Sequence, residues 1–135
     1  MTIKKPLVLI VDDEPSAMEL LRNFVASPKL YEIIEAKSGS EALEISRKHA
    51  RFLGFGRNNI SVIVLDHRLP DDDTHSFLRK LTKLGKSYAK IPVITCSAIS
   101  ISSIQLPNWL GQVDKTDREK LLTLLQKTCN TNSKI

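Results

Sequence analysis

Two short apolar runs of similar design lie in the first half of the chain. Leu7–Val11 and Ile60–Asp66 are rich in Val, Ile and Leu. Such runs are typical of strands buried on both faces of a parallel sheet, and they are too short for buried helices. Asp12 and Asp13 directly follow the first run, and Asp66 ends the second. We therefore expect these carboxylates at the carboxyl ends of two strands.

Strand and helix patterns alternate along the rest of the chain. Further strands are predicted at Tyr31–Ala36, Ile91–Ala98 and Trp109–Asp114. Apolar residues at helical spacing predict helices that begin at Pro15, near Glu41, near Thr74 and just after Thr116. Ile99–Leu106 alternates Ser with β-branched residues, which is a poor helix composition. The alternation predicts an α/β fold with a doubly wound sheet and helices on both faces.

The ends of two helices carry recognisable signals. Ser40 is the expected N-cap of a helix that runs to about Phe52. Thr116–Glu119 has the pattern of a capping box before a helix to about Cys129. The connection at Leu53–Asn59, with two Gly and two Asn, predicts an exposed loop. Residues 130–135 are expected to form a frayed tail.

Composition bounds the class of protein. With 135 residues the chain fits one domain, residues 1–135, and its 41% hydrophobic and 26% charged content is ordinary for a globular protein. The net charge is +5, but the basic residues are scattered, so we do not expect direct nucleic acid binding. No apolar run is long enough for a membrane span. Cys96 and Cys129 fit no metal spacing and predict reduced thiols in a cytoplasmic protein.

The three carboxylates of Asp12, Asp13 and Asp66 are the main chemical signal. If the two strands are neighbours, these groups converge and repel one another unless a cation lies among them. Hard oxygen ligands of this kind suit Mg2+, which leaves room for a phosphate. Two simpler interpretations stay open at this point. Asp66 could cap the next turn, and Asp12 with Asp13 could form an N-cap pair before Pro15.

Four motifs, in order and each at a strand end, carry a resemblance to a known family. They are Val11–Pro15, Val64–Pro70, Cys96–Ala98 and Lys115. Together they resemble the receiver domains of bacterial two-component response regulators, in particular the chemotaxis-type single-domain receivers. The resemblance covers essentially the whole chain. It implies a flavodoxin-like five-stranded parallel sheet of order 2-1-3-4-5, with the site at the switch between the first and third strands.

The resemblance also implies a role for each site residue. Asp66 is similar to the phosphoacceptor of the family. Asp13 resembles the direct Mg2+ ligand, Asp12 resembles the carboxylate that holds the ion through water, and the backbone carbonyl of Arg68 resembles the remaining protein ligand. The implied cofactor is therefore Mg2+.

Two further residues match the part of the motif that contacts the phosphoryl group. Ser97 resembles the hydroxyl residue that hydrogen-bonds this group, and Lys115 resembles the lysine that pairs with one of its oxygens. Phosphoryl transfer needs positioning and charge neutralisation, which such residues supply. The implied partners are a sensor histidine kinase or a histidine phosphotransfer protein, and an unknown downstream protein. The resemblance predicts a signalling module and not an enzyme.

Three departures from the family pattern concern the way the signal is passed on more than the phosphoryl transfer itself. Thr116 replaces the Pro that normally follows the lysine, Thr74 replaces a Gly, and Gln112 takes the aromatic switch position. They keep open a second interpretation, a pseudo-receiver that binds partners without phosphorylation. A haloacid dehalogenase-type phosphatase is disfavoured, because Arg68 lies where that class needs a second acid.

Overall fold

The sheet is the frame of the structure. The computed structural model describes residues 5–49, 59–97 and 108–133, the last four as backbone only. Within these ranges five parallel strands pair side by side: β1 (Leu7–Val11), β2 (Glu32–Ala36), β3 (Ile60–Asp66), β4 (Val93–Cys96) and β5 (Trp109–Val113). Their order is β2-β1-β3-β4-β5, so the doubly wound sheet of order 2-1-3-4-5 is confirmed.

Helices connect the strands on both faces. They are α1 (Pro15–Ala26), α2 (Gly39–Lys48), α3 (Thr74–Lys83), the short α4 (Lys86–Ala89) and α5 (Arg118–Ser133). The sequence patterns did not predict α4. It follows Gly85, whose φ of 144° is in a region that favours glycine and turns the chain directly after α3.

The central strand β3 contributes to two hydrophobic cores, one on each face of the sheet. Ile63 and Leu65 pack with the buried faces of α2 and α3. Val62 and Val64 pack with those of α1 and α5. The expectation that β3 is buried on both faces is therefore confirmed, and its carboxyl end is fixed between two packed layers.

Helix α2 differs from the prediction at both ends. Its N-cap is Ser38, whose Oγ accepts a hydrogen bond from the backbone N–H of Glu41 at 3.1 Å; the prediction of Ser40 was wrong. Ser40 lies inside the first turn. The helix ends at Lys48 and not near Phe52, because His49 leaves helical geometry and its carbonyl accepts from the N–H of Asn59 at 2.9 Å.

The start of α5 is shifted by one residue from the predicted capping box. Asp117 caps the helix by accepting from the N–H of Lys120 at 3.1 Å. Thr116 is engaged elsewhere, because its hydroxyl donates to Asp114 at 2.6 Å. The helix continues past Cys129 to Ser133. Fraying of residues 130–135 stays a prediction.

Two predicted segments lie outside the described residues. These are Ile99–Leu106 and all of the Leu53–Asn59 loop except Asn59. No helix in the described part of the chain is long and apolar enough to cross a membrane.

Candidate functional site

The carboxyl ends of β1, β3, β4 and β5 bring the predicted site residues together. Asp12 and Asp13 follow β1, Asp66 ends β3, Ser97 follows β4 and Lys115 follows β5. In the sheet, Val11 pairs with Leu65 and Asp66 pairs with Cys96, so the ends of β1, β3 and β4 lie level. The switch point of the sheet, between β1 and β3, is therefore the place where these side chains meet.

The three carboxylates converge as the sequence predicted. Ligand oxygens of Asp12, Asp13 and Asp66 all lie within 4.8 Å of one another. Asp12 and Asp66 are buried, whereas Asp13 is exposed. The capping alternative fails for α1, because its N-cap is Glu14 and, in the described part of the chain, no side chain caps it. The Oδ1 atom of Asp12 instead accepts from the N–H of Glu14 at 3.0 Å.

Lys115 joins two of these carboxylates. Its Nζ atom lies 3.0 Å from Oδ2 of Asp12 and 3.3 Å from Oδ1 of Asp66. The contact between Lys115 and Asp12 is an ion pair and not a hydrogen bond. The buried Oδ2 atom of Asp12 has no hydrogen-bond partner among the described residues. One ammonium thus compensates part of the charge of a three-carboxylate cluster.

The pKa values in the cluster reflect burial and crowding. Burial raises the pKa of the Asp66 carboxyl above its ordinary value, the charge of Asp12 adds to this shift, and Lys115 opposes it. Burial alone would lower the pKa of the Lys115 ammonium, but contacts with Asp12 and Asp66 outweigh it, so this pKa is raised. Lys115 therefore stays charged at neutral pH, and Asp66 resists ionisation more than an exposed Asp does.

A pocket of about 340 Å³ opens beside Asp66. Its walls are formed by Asp13, Asp66, Arg68, Leu69, Pro70, Ser97 and Lys115. Ser97 is buried, and its backbone N–H donates to the carbonyl of Val113 at 3.1 Å, which fixes it at the end of β4. The N–H of Arg68 points to Oδ1 of Asp66 at 3.4 Å. Five of the six predicted site residues thus line the pocket, and the sixth, Asp12, lies beneath Lys115.

Two of the departures from the family pattern have a visible structural role. Thr74 is fully buried, and its hydroxyl donates to the carbonyl of His67 at 3.2 Å, which fastens the start of α3 to the residue after Asp66. Asp114 accepts from the N–H of Thr116 at 2.9 Å and closes a tight turn around Lys115. Gln112 lies half-buried in β5.

Asp71 is a residue near the site that the sequence did not single out. Its carboxylate accepts from the N–H groups of Gly39 at 2.8 Å and Ser40 at 3.0 Å. This contact joins the loop after β3 to the start of α2. The run of three Asp residues at this point is explained equally well by helix capping, so the sequence pattern holds no signal that singles out Asp71.

The donor set fits a divalent cation that prefers oxygen. Three carboxylates lie within reach of one ion, and one of them has a buried oxygen without a hydrogen bond in the described part of the molecule. Carboxylate oxygens next to an open pocket suit Mg2+, which keeps several of its waters. Asp12, Asp13 and Asp66 are the residues that could hold it.

Comparison with known proteins identifies the family. Residues 8–106 match the response regulator receiver domain family. The chain is also 33% identical to the response regulator GtcR of Aneurinibacillus migulanus over 91 residues, which cover 67% of this chain and 32% of that protein. It thus spans about a third of the length of this curated relative. The chain belongs to the response regulator receiver domain family, which is a family of signalling modules and not of classical enzymes.

Solved structures agree on the fold. The signal receiver domain of an HD domain-containing protein from Pseudomonas fluorescens Pf-5 has a TM-score of 0.77 at 16% identity, over 98% of this chain and 93% of that chain. The receiver domain of a sensor histidine kinase from Pseudomonas aeruginosa PAO1, with a magnesium ion coordinated in its active site cleft, has a TM-score of 0.75 at 20% identity, over 94% and 99%. Chemotaxis protein CheY4 of Vibrio cholerae has a TM-score of 0.72 at 23% identity, over 93% and 99%.

The site is therefore that of a receiver domain. Its acidic pocket of Asp12, Asp13 and Asp66, with the Lys115 contact, is typical of a phosphoacceptor site.

Proposed function

We propose that the carboxylate of Asp66 accepts a phosphoryl group in a Mg2+-dependent reaction. The observation that carries this proposal is the placement of Asp66 at the floor of an open pocket, 3.3 Å from the Lys115 ammonium and within 4.8 Å of Asp12 and Asp13. A carboxylate in such a place can act as a nucleophile, because the incoming negative charge meets cationic groups.

The neighbouring residues have separate roles in the proposed reaction. Asp13, Asp66 and the backbone carbonyl of Arg68 would hold Mg2+, and Asp12 would hold it through water. The bound ion supplies charge neutralisation at the phosphoryl oxygens. Lys115 pairs with one of these oxygens, a role that its contacts with Asp12 and Asp66 support. The hydroxyl of Ser97, on the wall of the same pocket, hydrogen-bonds another.

The transfer step conserves charge and atoms. A carboxylate oxygen of Asp66 forms a bond to phosphorus while the phosphorus–nitrogen bond of a phosphohistidine breaks. The electron pair of that bond stays on the imidazole nitrogen, and the product is an aspartyl phosphate. The donor is the phosphohistidine of a sensor histidine kinase or of a histidine phosphotransfer protein.

The signal is then read by a downstream protein whose affinity changes with phosphorylation. We infer that residues 1–135 form one receiver domain of the chemotaxis type, a subclass suggested by the likeness to CheY4. A cytoplasmic location is supported by Cys96 and Cys129, which are free and buried, as expected in a reducing compartment.

Intact-mass measurement tests the proposal. The wild type, incubated with acetyl phosphate and Mg2+, should gain the mass of one phosphoryl group. Asp66→Asn and an EDTA-treated sample should gain none. Equal labelling of Asp66→Asn would contradict the assignment of Asp66. A wild type that is never labelled would instead support a pseudo-receiver that binds its partners without phosphorylation.

A further inference from the structure

The loop after β3 is tied to a helix that contributes no residue to the pocket walls. Asp71 lies at the tip of this loop, and its Oδ1 and Oδ2 atoms accept from the N–H groups of Gly39 and Ser40 at 2.8 and 3.0 Å. These are the first two residues of α2, whose N–H groups have no partner inside the helix. Asp71 therefore satisfies two helix donors from a position 31–32 residues away in sequence.

Gly39 makes this close approach possible. It is buried, and a Cβ atom at its position would lie 3.2 Å from the Cβ of Asp72 and 3.3 Å from Oδ1 of Asp71. Both distances are tighter than ordinary van der Waals contact. A Cβ atom at this position would require Asp71 and Asp72 to shift by a few tenths of an ångström, so Gly39 favours the close approach of the loop to α2.

The other end of the loop forms the wall of the phosphoacceptor pocket. We call residues 67–73 the site loop. Arg68 pairs with Asp73 in an antiparallel bridge, and the N–H of Leu69 donates to the carbonyl of Asp72 at 3.2 Å, so the loop closes on itself. Asp73 caps α3 by accepting from the N–H of Ser76 at 2.8 Å. The site loop is thus fixed to α3 at its base and to α2 at its tip.

The charge of Asp71 strengthens the contact. The hydrogen bonds from the N–H groups of Gly39 and Ser40 hold the pKa of its carboxyl below the ordinary value. A carboxylate at a helix amino end is also favoured by the helix dipole. The Asp71 carboxylate is therefore ionised near neutral pH, and its contact with the N–H groups of Gly39 and Ser40 persists there.

We propose that Asp71 is a positioning residue of the phosphoacceptor site. By joining the tip of the site loop to α2, it holds the backbone of Arg68 beside Asp66 in the geometry that the ion requires. This inference rests on the proposed Mg2+-dependent function. Groups that orient metal ligands without touching the metal commonly change affinity by about 10–100-fold when removed.

Calorimetric titration of the 135-residue chain with Mg2+ tests the inference. Asp71→Ala should weaken Mg2+ binding by about tenfold. Asp71→Asn, which keeps one acceptor oxygen, should restore part of the affinity. Gly39→Ala keeps every polar group but crowds Asp71 and Asp72, so it should weaken binding in the same direction. If Asp71→Ala does not fold, Gly39→Ala tests the same contact independently.

Ser38→Ala is the matched control, because it removes a hydrogen bond from the same end of α2 without touching the site loop. Its Mg2+ affinity should stay within about twofold of the wild type. Wild-type affinity in both Asp71→Ala and Gly39→Ala, or an equal loss in Ser38→Ala, would overturn the positioning role alone. No Mg2+ binding by the wild type would overturn the proposed function itself, and this inference with it.

Discussion

The Nζ atom of Lys115 lies 3.3 Å from Oδ1 of Asp66, so the proposed phosphoacceptor already has a cationic partner before any phosphoryl group arrives. The same ammonium lies 3.0 Å from the buried Oδ2 of Asp12. The ion pair with Lys115 does not fully stabilise the ionised form of Asp66, because burial and the charge of Asp12 still raise the pKa of its carboxyl. Ionised Asp66 is therefore incompletely compensated by Lys115, and a further cation would stabilise it.

The raised pKa of Asp66 predicts that the stability difference between Asp66→Asn and the wild type depends on pH. A folded-state pKa above the unfolded value means that Asp66 favours the fold when protonated. This contribution is present below the ordinary pKa of about 3.9 and is lost as pH rises through the raised folded pKa. Asp66→Asn should thus be more stable than the wild type at pH 7 without Mg2+, with the difference narrowing toward pH ~4. Urea unfolding across this range measures it, and a less stable variant at pH 7 would contradict the account.

Mg2+ should stabilise the wild type by occupying the cluster. At an ion concentration of 100 times Kd, the free energy of unfolding should rise by about 2.7 kcal/mol. Asp13→Asn should lose most of this gain, because it removes the exposed carboxylate that faces the pocket. Thermal unfolding with matched ionic strength provides the measurement. An equal gain in Asp13→Asn would exclude Asp13 as a ligand.

Removal of the Lys115 ammonium should cost stability without Mg2+. Lys115→Met leaves the buried Oδ2 of Asp12 without its ion pair, and we expect a loss of about 1–3 kcal/mol in the free energy of unfolding. Lys80→Met is the control. It breaks an ion pair with Asp72 of similar length, 2.9 Å, but the Lys80 side chain is half exposed, so the cost should be under about 1 kcal/mol. Equal costs in chemical denaturation would argue against the special role of Lys115.

The cap of α2 gives a test of the fold independent of the site. Ser38→Ala should lower the free energy of unfolding by about 1 kcal/mol, because the N–H of Glu41 loses its side-chain acceptor. Ser40→Ala, two residues further on, should change it by less than about 0.5 kcal/mol. The reverse order of effects would show that the cap lies at Ser40.

The strands and the convergence of the carboxylates could be predicted from the sequence because their causes are local. The apolar run of β3 needs burial on both faces, which only a central strand provides. The carboxyl ends of parallel strands share one edge, so Asp12 and Asp13 after β1 and Asp66 at the end of β3 meet there when the two strands are neighbours. Asp12, Asp13 and Asp66 were therefore predictable before any contact was known.

The details that the sequence did not reveal depend on distant partners. Ser38 and Ser40 are equally suitable caps in isolation, and the choice is associated with Asp71, whose carboxylate binds the N–H of Ser40. In the same way, the sequence pattern predicts Thr116 as a helix cap, but its hydroxyl donates a hydrogen bond to Asp114 instead. The position of a helix cap is decided by competition between hydrogen-bond partners. The spacing of apolar residues in the sequence contains no information on this competition.

Reductive trapping of the phosphorylated protein tests the central claim most directly. Borohydride converts an aspartyl phosphate to homoserine, and the tryptic peptide of residues 58–68 contains Asp66 as its one acidic residue. After treatment with acetyl phosphate and Mg2+, mass spectrometry should find homoserine at position 66, and none when EDTA is present. Homoserine at Asp12 or Asp13, in the peptide that ends at Arg22, with position 66 unmodified, would contradict the account.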